Sequence, residues 1–138
     1  MLSRSARFRI SRSAELDSGS VVVADPDETV FAMVRQLTAP DIWRVLYAGT
    51  PEGLLDIFHK AQVSLAVVEL SMLDGCPMLV EELVSRSRRG LRVVVTTAEH
   101  SESSERRARL LGPVYYAPKP INAALLHHVL EGALRVVV

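Results

Sequence analysis

The chain has 138 residues, of which 49% are hydrophobic and 23% are charged, and 16 basic residues balance 16 acidic ones. This length fits one domain with a substantial core. The balanced charge argues against a nucleic-acid or anionic-membrane partner, and no apolar run approaches the roughly 20 residues of a membrane-spanning helix. Cys76 is the single cysteine, which excludes an intrachain disulfide and a multi-cysteine metal site and favours a cytoplasmic location.

The first 20 residues differ in composition from the rest of the chain, because four arginines and six serines fall within them. We interpret residues 1–20 as an appended arm and residues 21–138 as the folded domain. An Arg- and Ser-rich start also resembles an organelle transit peptide, but Glu15 and Asp17 and the lack of an amphipathic pattern favour a solvated tail.

Short apolar runs rich in β-branched residues alternate with helical patterns from Val21 onward, which predicts βαβ units and a parallel sheet. Runs that are apolar throughout, rather than alternating, indicate central strands covered by helices on both faces. The five predicted strands are Val21–Ala24, Arg44–Ala48, Leu65–Leu70, Leu91–Ala98 and Val114–Ala117.

Helical spacing predicts five helices, one after each strand. The second begins sharply, because Thr50 suits an N-cap and Pro51 suits the first helical position. The remaining predicted features are a third helix over Leu79–Arg88, a fourth from about Ser101 to Leu111 that stops at Gly112, and a last helix capped by Asn122.

Polar residues stand at the predicted carboxyl ends of four strands: Asp25, Glu69, Thr97 and Lys119. In an open parallel sheet with helices on both faces, ligands bind outside the carboxyl ends of the strands. Two carboxylates, a hydroxyl and an ammonium should therefore converge on one edge. Any strand must end in something polar, so a single such residue would indicate little, but four complementary groups indicate a site.

Three segments resemble the receiver domains of two-component response regulators. Leu111–Pro120 is similar to that family's Leu-Gly-Ala followed by Tyr-x-x-Lys-Pro, Val95–Ala98 to its fourth strand, and Val21–Asp25 to its first strand. The resemblance covers about Ser20 to Val138. It implies an α/β fold of the flavodoxin-like (βα)5 type, a doubly wound five-stranded parallel sheet in the order 2-1-3-4-5, and a role in signal transduction.

The phosphorylation chemistry of that family requires residues that this chain lacks. In receiver domains, an Asp ending the third strand accepts a phosphoryl group, and it holds Mg²⁺ together with an acidic pair after the first strand. Here Glu69 stands at the nucleophile position, and its carboxylate reaches about 1.5 Å further. Pro26 replaces the second acid after Asp25, and Asp27 would have to swing back to substitute. We expect no ordinary phosphoryl transfer, no enzymatic activity, and weak or absent Mg²⁺ binding at Asp25 and Glu69.

The resemblance also assigns roles to the remaining residues. Asp25, Thr97 and Lys119 would form a pocket in which Lys119 could pair with Glu69 or Asp25. Tyr116 stands where the family has an aromatic residue that, with Thr97, couples the pocket to the fourth helix, fifth strand and fifth helix. Glu69 could then act as a permanent mimic of the charged, phosphorylated state of the family. A tyrosine simply packed at a strand edge is the alternative interpretation of Tyr116.

The leading hypothesis is a stand-alone pseudo-receiver, a protein–protein interaction module that works without phosphorylation. Its partner would be a histidine kinase, an effector, or a second copy that forms a homodimer through the fourth helix, fifth strand and fifth helix. Two alternatives stay open: a phospho-accepting receiver with atypical chemistry, and a nucleic-acid accessory factor that uses the arm at residues 1–20. Arginine clusters at residues 86–89 and 106–109 are interpreted as solvated helix faces.

Overall fold

A computed structural model of the chain describes residues 19–134, in which five strands alternate with five α-helices. The predicted arm, apart from its last two residues, lies outside the described residues. The elements in chain order are β1 (Ser20–Ala24), α1 (Thr29–Leu37), β2 (Arg44–Ala48), α2 (Pro51–Lys60), β3 (Val63–Glu69), a 3-10 helix (Leu70–Leu73), α3 (Pro77–Arg88), β4 (Arg92–Thr97), α4 (Glu102–Arg109), β5 (Tyr115–Pro118) and α5 (Ala123–Ala133).

The strands form one parallel sheet in the order β2-β1-β3-β4-β5. The predicted flavodoxin-like (βα)5 fold with strand order 2-1-3-4-5 is therefore confirmed. In this topology the carboxyl ends of β1, β3, β4 and β5 share one edge of the sheet, which we call the carboxyl edge.

A hydrophobic core lies on each face of the sheet, because neighbouring side chains of a strand point to opposite faces. Val22 belongs to the core beneath α2, α3 and α4, whereas Val21 and Val23 belong to the core beneath α1 and α5. All three valines are completely buried. Burial on both faces explains why these strands are apolar throughout rather than alternating.

Two predicted strands end one residue earlier in the structure, at the carboxyl edge. β3 ends at Glu69, and Leu70 starts the 3-10 helix instead of continuing the strand. β4 ends at Thr97, so Ala98 belongs to the following loop. Glu69 and Thr97 are therefore the last residues of their strands, with loops that begin immediately beside them.

Helix ends follow local capping chemistry. The Thr50 side chain accepts a hydrogen bond from the Gly53 N–H at 3.0 Å, and Pro51 is the first residue of α2, as predicted. The Asn122 side chain accepts from the Leu125 N–H at 3.0 Å at the start of α5, which confirms the predicted cap.

Other boundaries also differ from the sequence-based expectation, such as β5, which spans Tyr115–Pro118 rather than Val114–Ala117. α3 begins at Pro77 rather than Leu79, because proline suits the first turn of a helix. α4 is shorter than predicted, although Gly112 does adopt the expected left-handed conformation, with φ of 61°. Ser20, which we placed in the arm, is the first residue of β1 and is completely buried. No helix among the described residues is long and apolar enough to cross a membrane.

Candidate functional site

The four residues singled out from the sequence lie together at the carboxyl edge. Asp25 directly follows β1, Glu69 and Thr97 end β3 and β4, and Lys119 directly follows β5. Only 2% of Asp25, 5% of Glu69 and 4% of Thr97 is exposed. Because buried carboxylates are costly unless they are paired or hydrogen-bonded, their partners determine what the site can do.

Lys119 is the cationic partner of both carboxylates. Its Nζ lies 2.7 Å from Asp25 Oδ2 and 3.6 Å from Glu69 Oε1. Burial by itself lowers the pKa of Lys119, but the hydrogen bond to Asp25 and the charges of Asp25 and Glu69 outweigh it and raise the pKa overall. Lys119 is therefore firmly protonated and ties β5 to β1 and β3.

Both oxygens of the Glu69 carboxylate accept backbone hydrogen bonds. Oε2 accepts from the Ser71 N–H at 2.9 Å, and Oε1 accepts from the Ala98 N–H at 3.2 Å. These two N–H groups belong to the segments that follow β3 and β4, so the carboxylate links the two segments. With Lys119 beside Oε1, the charge of Glu69 is stabilised from three directions.

The acidic side chains of the loop after β1 accept hydrogen bonds from the loop itself. Asp27 Oδ1 accepts hydrogen bonds from the hydroxyl of Thr29 at 2.6 Å and from its N–H at 2.8 Å, and these bonds hold the pKa of Asp27 below its usual value. The Asp27 N–H in turn donates to Asp25 Oδ1 at 2.8 Å. Within residues 19–134, no three His, Cys, Asp or Glu side chains are grouped so that they could hold a metal ion.

The Thr97 hydroxyl lies in the site without joining the charged cluster. It donates to the Glu99 carbonyl and accepts from the Glu99 N–H, both at 3.2 Å. Thr97 and Glu69 line a cavity of about 350 Å³, whose wall also contains Asp74 and Arg107, an ion pair at 2.7 Å. The structure thus brings Asp25 and Glu69 into contact with Lys119 and leaves Thr97 beside them.

Tyr116 contacts a histidine that the sequence analysis did not connect with it. The Tyr116 hydroxyl lies 2.9 Å from His100 Nδ1, and the two ring centroids are 5.5 Å apart. Burial, followed by the nearby charge of Glu105, raises the pKa of Tyr116. The available signal was that His100 stands three residues after Thr97, in the loop that the parallel topology brings beside β5.

Tyr47 is a second residue at the carboxyl edge that sequence reasoning missed. Its hydroxyl donates to the Asp25 carbonyl at 2.6 Å, and its ring packs against Phe31 with centroids 5.2 Å apart. Burial, followed by the charges of Glu28, Asp25 and Asp27, raises the pKa of Tyr47. The signal was an aromatic residue near the end of β2, which neighbours β1 in the sheet.

Comparisons with known proteins identify the fold. No protein-family model matches the sequence, and no curated protein matches it. Among solved structures, the signal receiver domain of an HD domain-containing protein from Pseudomonas fluorescens is similar, with a TM-score of 0.71 and 18% identity, over 84% of this chain and 94% of that one.

Two further structures agree with that comparison. The receiver domain of a DNA binding response regulator from Colwellia psychrerythraea has a TM-score of 0.72 and 17% identity, over 86% of this chain and 99% of that one. The non-phosphorylated HemR receiver domain from Leptospira biflexa has a TM-score of 0.69 and 21% identity, over 87% of this chain and 97% of that one. This chain therefore has the fold of response-regulator receiver domains.

Proposed function

We propose that the chain is a receiver-type signalling domain that works without a phosphorylation cycle and acts through protein–protein contact. The observation that carries this proposal is the engagement of the Glu69 carboxylate. Its two oxygens accept from the Ser71 and Ala98 N–H groups, and Lys119 lies beside one of them. The receiver fold supports the signalling role, and the state of Glu69 supports the loss of phosphoryl transfer.

Phosphoryl transfer to Glu69 would require groups that already have partners. An attacking carboxylate oxygen must lie in line with the phosphorus, and the transferring oxygens need preorganised donors. Here Ser71, Ala98 and Lys119 supply such donors to the protein's own carboxylate. An incoming phosphoryl group would have to displace Glu69 from the donors that should stabilise it.

The proposal includes weak or absent Mg²⁺ binding. Magnesium demands near-octahedral coordination by several oxygens. Asp25 Oδ2 contacts Lys119, Asp25 Oδ1 accepts from Asp27, and both Glu69 oxygens are hydrogen-bonded, so the donor atoms that an ion would need are engaged. We therefore expect this edge to bind the ion weakly or not at all, and no step of the proposed function uses one.

We further propose that the surface of α4, β5 and α5 contacts the partner, with Glu69 as a permanent negative charge at the edge that this surface adjoins. Large apolar side chains are exposed there: 71% of Leu110, 48% of Val114 and 52% of Leu125. Exposed apolar groups on or next to these elements favour a protein partner, which would be a histidine kinase, an effector or a second copy of the chain. Tyr116 lies at the same surface.

The decisive experiment is labelling with acetyl phosphate in the presence of Mg²⁺, followed by mass spectrometry of the intact protein. We expect no acid-stable, hydroxylamine-labile label on the native chain. The double variant Glu69→Asp with Pro26→Asp places aspartate at both positions where receiver domains have an acid of that length. Labelling that appears only in this variant would show that the pocket is merely degenerate. Stoichiometric labelling of Glu69 in the native chain would instead establish a working receiver with atypical chemistry.

A matched pair of variants tests the partner surface. Leu125 lies on α5 and Ile42 lies in the loop before β2, and both side chains are 52% exposed. Leu125→Asp should abolish recovery of the specific partner in pull-downs, or dimerisation in sedimentation velocity, whereas Ile42→Asp should not. Equal behaviour of the two variants would place the partner surface elsewhere.

A further inference from the structure

The outer face of α3 carries a groove that belongs neither to the carboxyl edge nor to the surface of α4, β5 and α5. Its volume is about 490 Å³. Two adjacent rows of side chains at i, i+4 spacing line it: Val80, Val84 and Arg88 in one row, and Glu81, Ser85 and Arg89 in the other.

This groove is a shallow space between two rows of one helix, and such rows can pack against a second helix. Rows of residues spaced by four form ridges on a helix surface, and the ridge of a second helix packs into the space between two of them. Val80, Val84 and Ser85 are short, so they form a floor between longer side chains at the ends. The two valines are only partly buried against the core and keep an open side.

The two ends of the groove differ in charge: the acidic Glu81 lies toward one end, and the basic Arg88 and Arg89 lie at the other. Arg88 and Arg89 are exposed, and neither forms an ion pair with any residue in the described range, whereas Arg86 pairs with Glu82 and Arg109 with Glu105. The helix dipole accounts for cations at the end of α3, but it does not account for an apolar floor next to them. Basic and apolar groups together define the chemistry of the partner.

We propose that the groove binds an amphipathic helix of a protein partner, with apolar side chains against Val80 and Val84 and carboxylates against Arg88 and Arg89. Nucleic acid fits this surface less well, because no aromatic residue lines the groove for base stacking and a phosphate backbone would leave the valines uncovered. The inference does not depend on the proposed function, since no groove residue contacts Glu69 or Lys119.

The test uses a synthetic helical peptide with two leucines spaced by four residues and a pair of glutamates one turn beyond them. Binding is followed by ¹H–¹⁵N NMR on the full chain. We expect shifts concentrated at Val80, Val84, Arg88 and Arg89, and at least about tenfold weaker binding when the glutamates become lysines or the leucines become serines. Duplex DNA and anionic lipid vesicles serve as competing probes, and tighter binding of either would overturn the proposal.

Charge-reversal variants locate the contact. Arg88→Glu with Arg89→Glu should weaken the acidic peptide by about tenfold or more and should favour its lysine counterpart. The matched control, Arg44→Glu with Arg106→Glu, makes the same change of charge at exposed positions outside the groove and should leave affinity unchanged.

Circular dichroism shows whether the variants are folded. If they are not, glutamine in place of glutamate at residues 88 and 89 gives a milder pair. Equal loss of affinity in the groove variant and its control would show that the peptide is held only by nonspecific electrostatic attraction to the protein. Absence of peptide binding to the native chain, or shifts confined to another surface, would refute the proposal directly.

Discussion

Replacing Lys119 by methionine removes the cation of the carboxyl edge and keeps most of the side-chain length. Two nearly buried carboxylates, Asp25 and Glu69, would then lack the ammonium that lies 2.7 Å from one and 3.6 Å from the other. Glu69 would retain its two backbone hydrogen bonds, whereas Asp25 would retain only the N–H of Asp27. We therefore expect a large loss of stability, mainly from Asp25.

The size of the loss follows from this geometry. At 2.7 Å, the attraction between Lys119 and Asp25 is about 6 kcal/mol at an effective dielectric constant of about 20, and much of it offsets the desolvation of the two charges. Removing one member of a buried pair typically costs about 3–5 kcal/mol. Because 23% of the Lys119 side chain is exposed and water can partly replace it, we expect about 3 kcal/mol.

Urea denaturation followed by far-UV circular dichroism measures this loss as a change in midpoint at constant slope. Lys60→Met is the matched control, because Lys60 pairs with Asp56 at a similar distance of 3.0 Å but both side chains are largely exposed. We expect the control to cost less than about 1 kcal/mol. Equal losses in the two variants would refute the reasoning, since burial would then contribute nothing to the pair.

Three further predictions concern stability. The pKa of Lys119 is raised in the folded chain, so its contribution to stability should be complete below the unfolded pKa of about 10.4. That contribution should fade as the pH rises through the higher folded pKa. The urea midpoints of the native chain and Lys119→Met should therefore converge in strong alkali. Thr50→Ala should cost about 1 kcal/mol because the Gly53 N–H loses its cap, and a cost near zero in urea denaturation would show that water replaces the hydroxyl. Leu83→Ala should cost about 2–5 kcal/mol because Leu83 is completely buried, and a thermal melt that matches the native chain would contradict the assigned core.

The fold could be predicted from the sequence because its signals are local. The apolar run at Val21–Ala24 specifies a strand buried on both faces, and Thr50 and Asn122 specify helix starts through their own side chains. The boundary errors arose where two local preferences compete. Leu70 suits a strand by composition, but the Glu69 carboxylate caps the following turn and the chain enters a 3-10 helix.

The candidate site could be predicted only in part, because its partners are distant in sequence. Topology alone brings the ends of β1, β3, β4 and β5 together, so the convergence of Asp25, Glu69 and Lys119 followed from the order of the elements. The contacts of His100 with Tyr116 and of Tyr47 with the Asp25 carbonyl depend on side-chain placement across separate loops. Neither His100 nor Tyr47 lies in a recognised motif, so its position near a strand end was the signal that each offered.

The methylene that separates glutamate from aspartate explains how one position bears on both the chemistry and the charge of the carboxyl edge. An aspartate at residue 69 would end about 1.5 Å earlier, so on the same backbone the hydrogen bonds to the Ser71 and Ala98 N–H groups, now at 2.9 Å and 3.2 Å, could not both be kept. We expect the Ala98 N–H, which follows a different strand, to be the donor that becomes free for a ligand oxygen. With glutamate, the carboxylate itself reaches both N–H groups and remains beside Lys119. Under the proposed function, glutamate at this position would be a poorer nucleophile and would supply a negative charge at the edge without an external phosphoryl group.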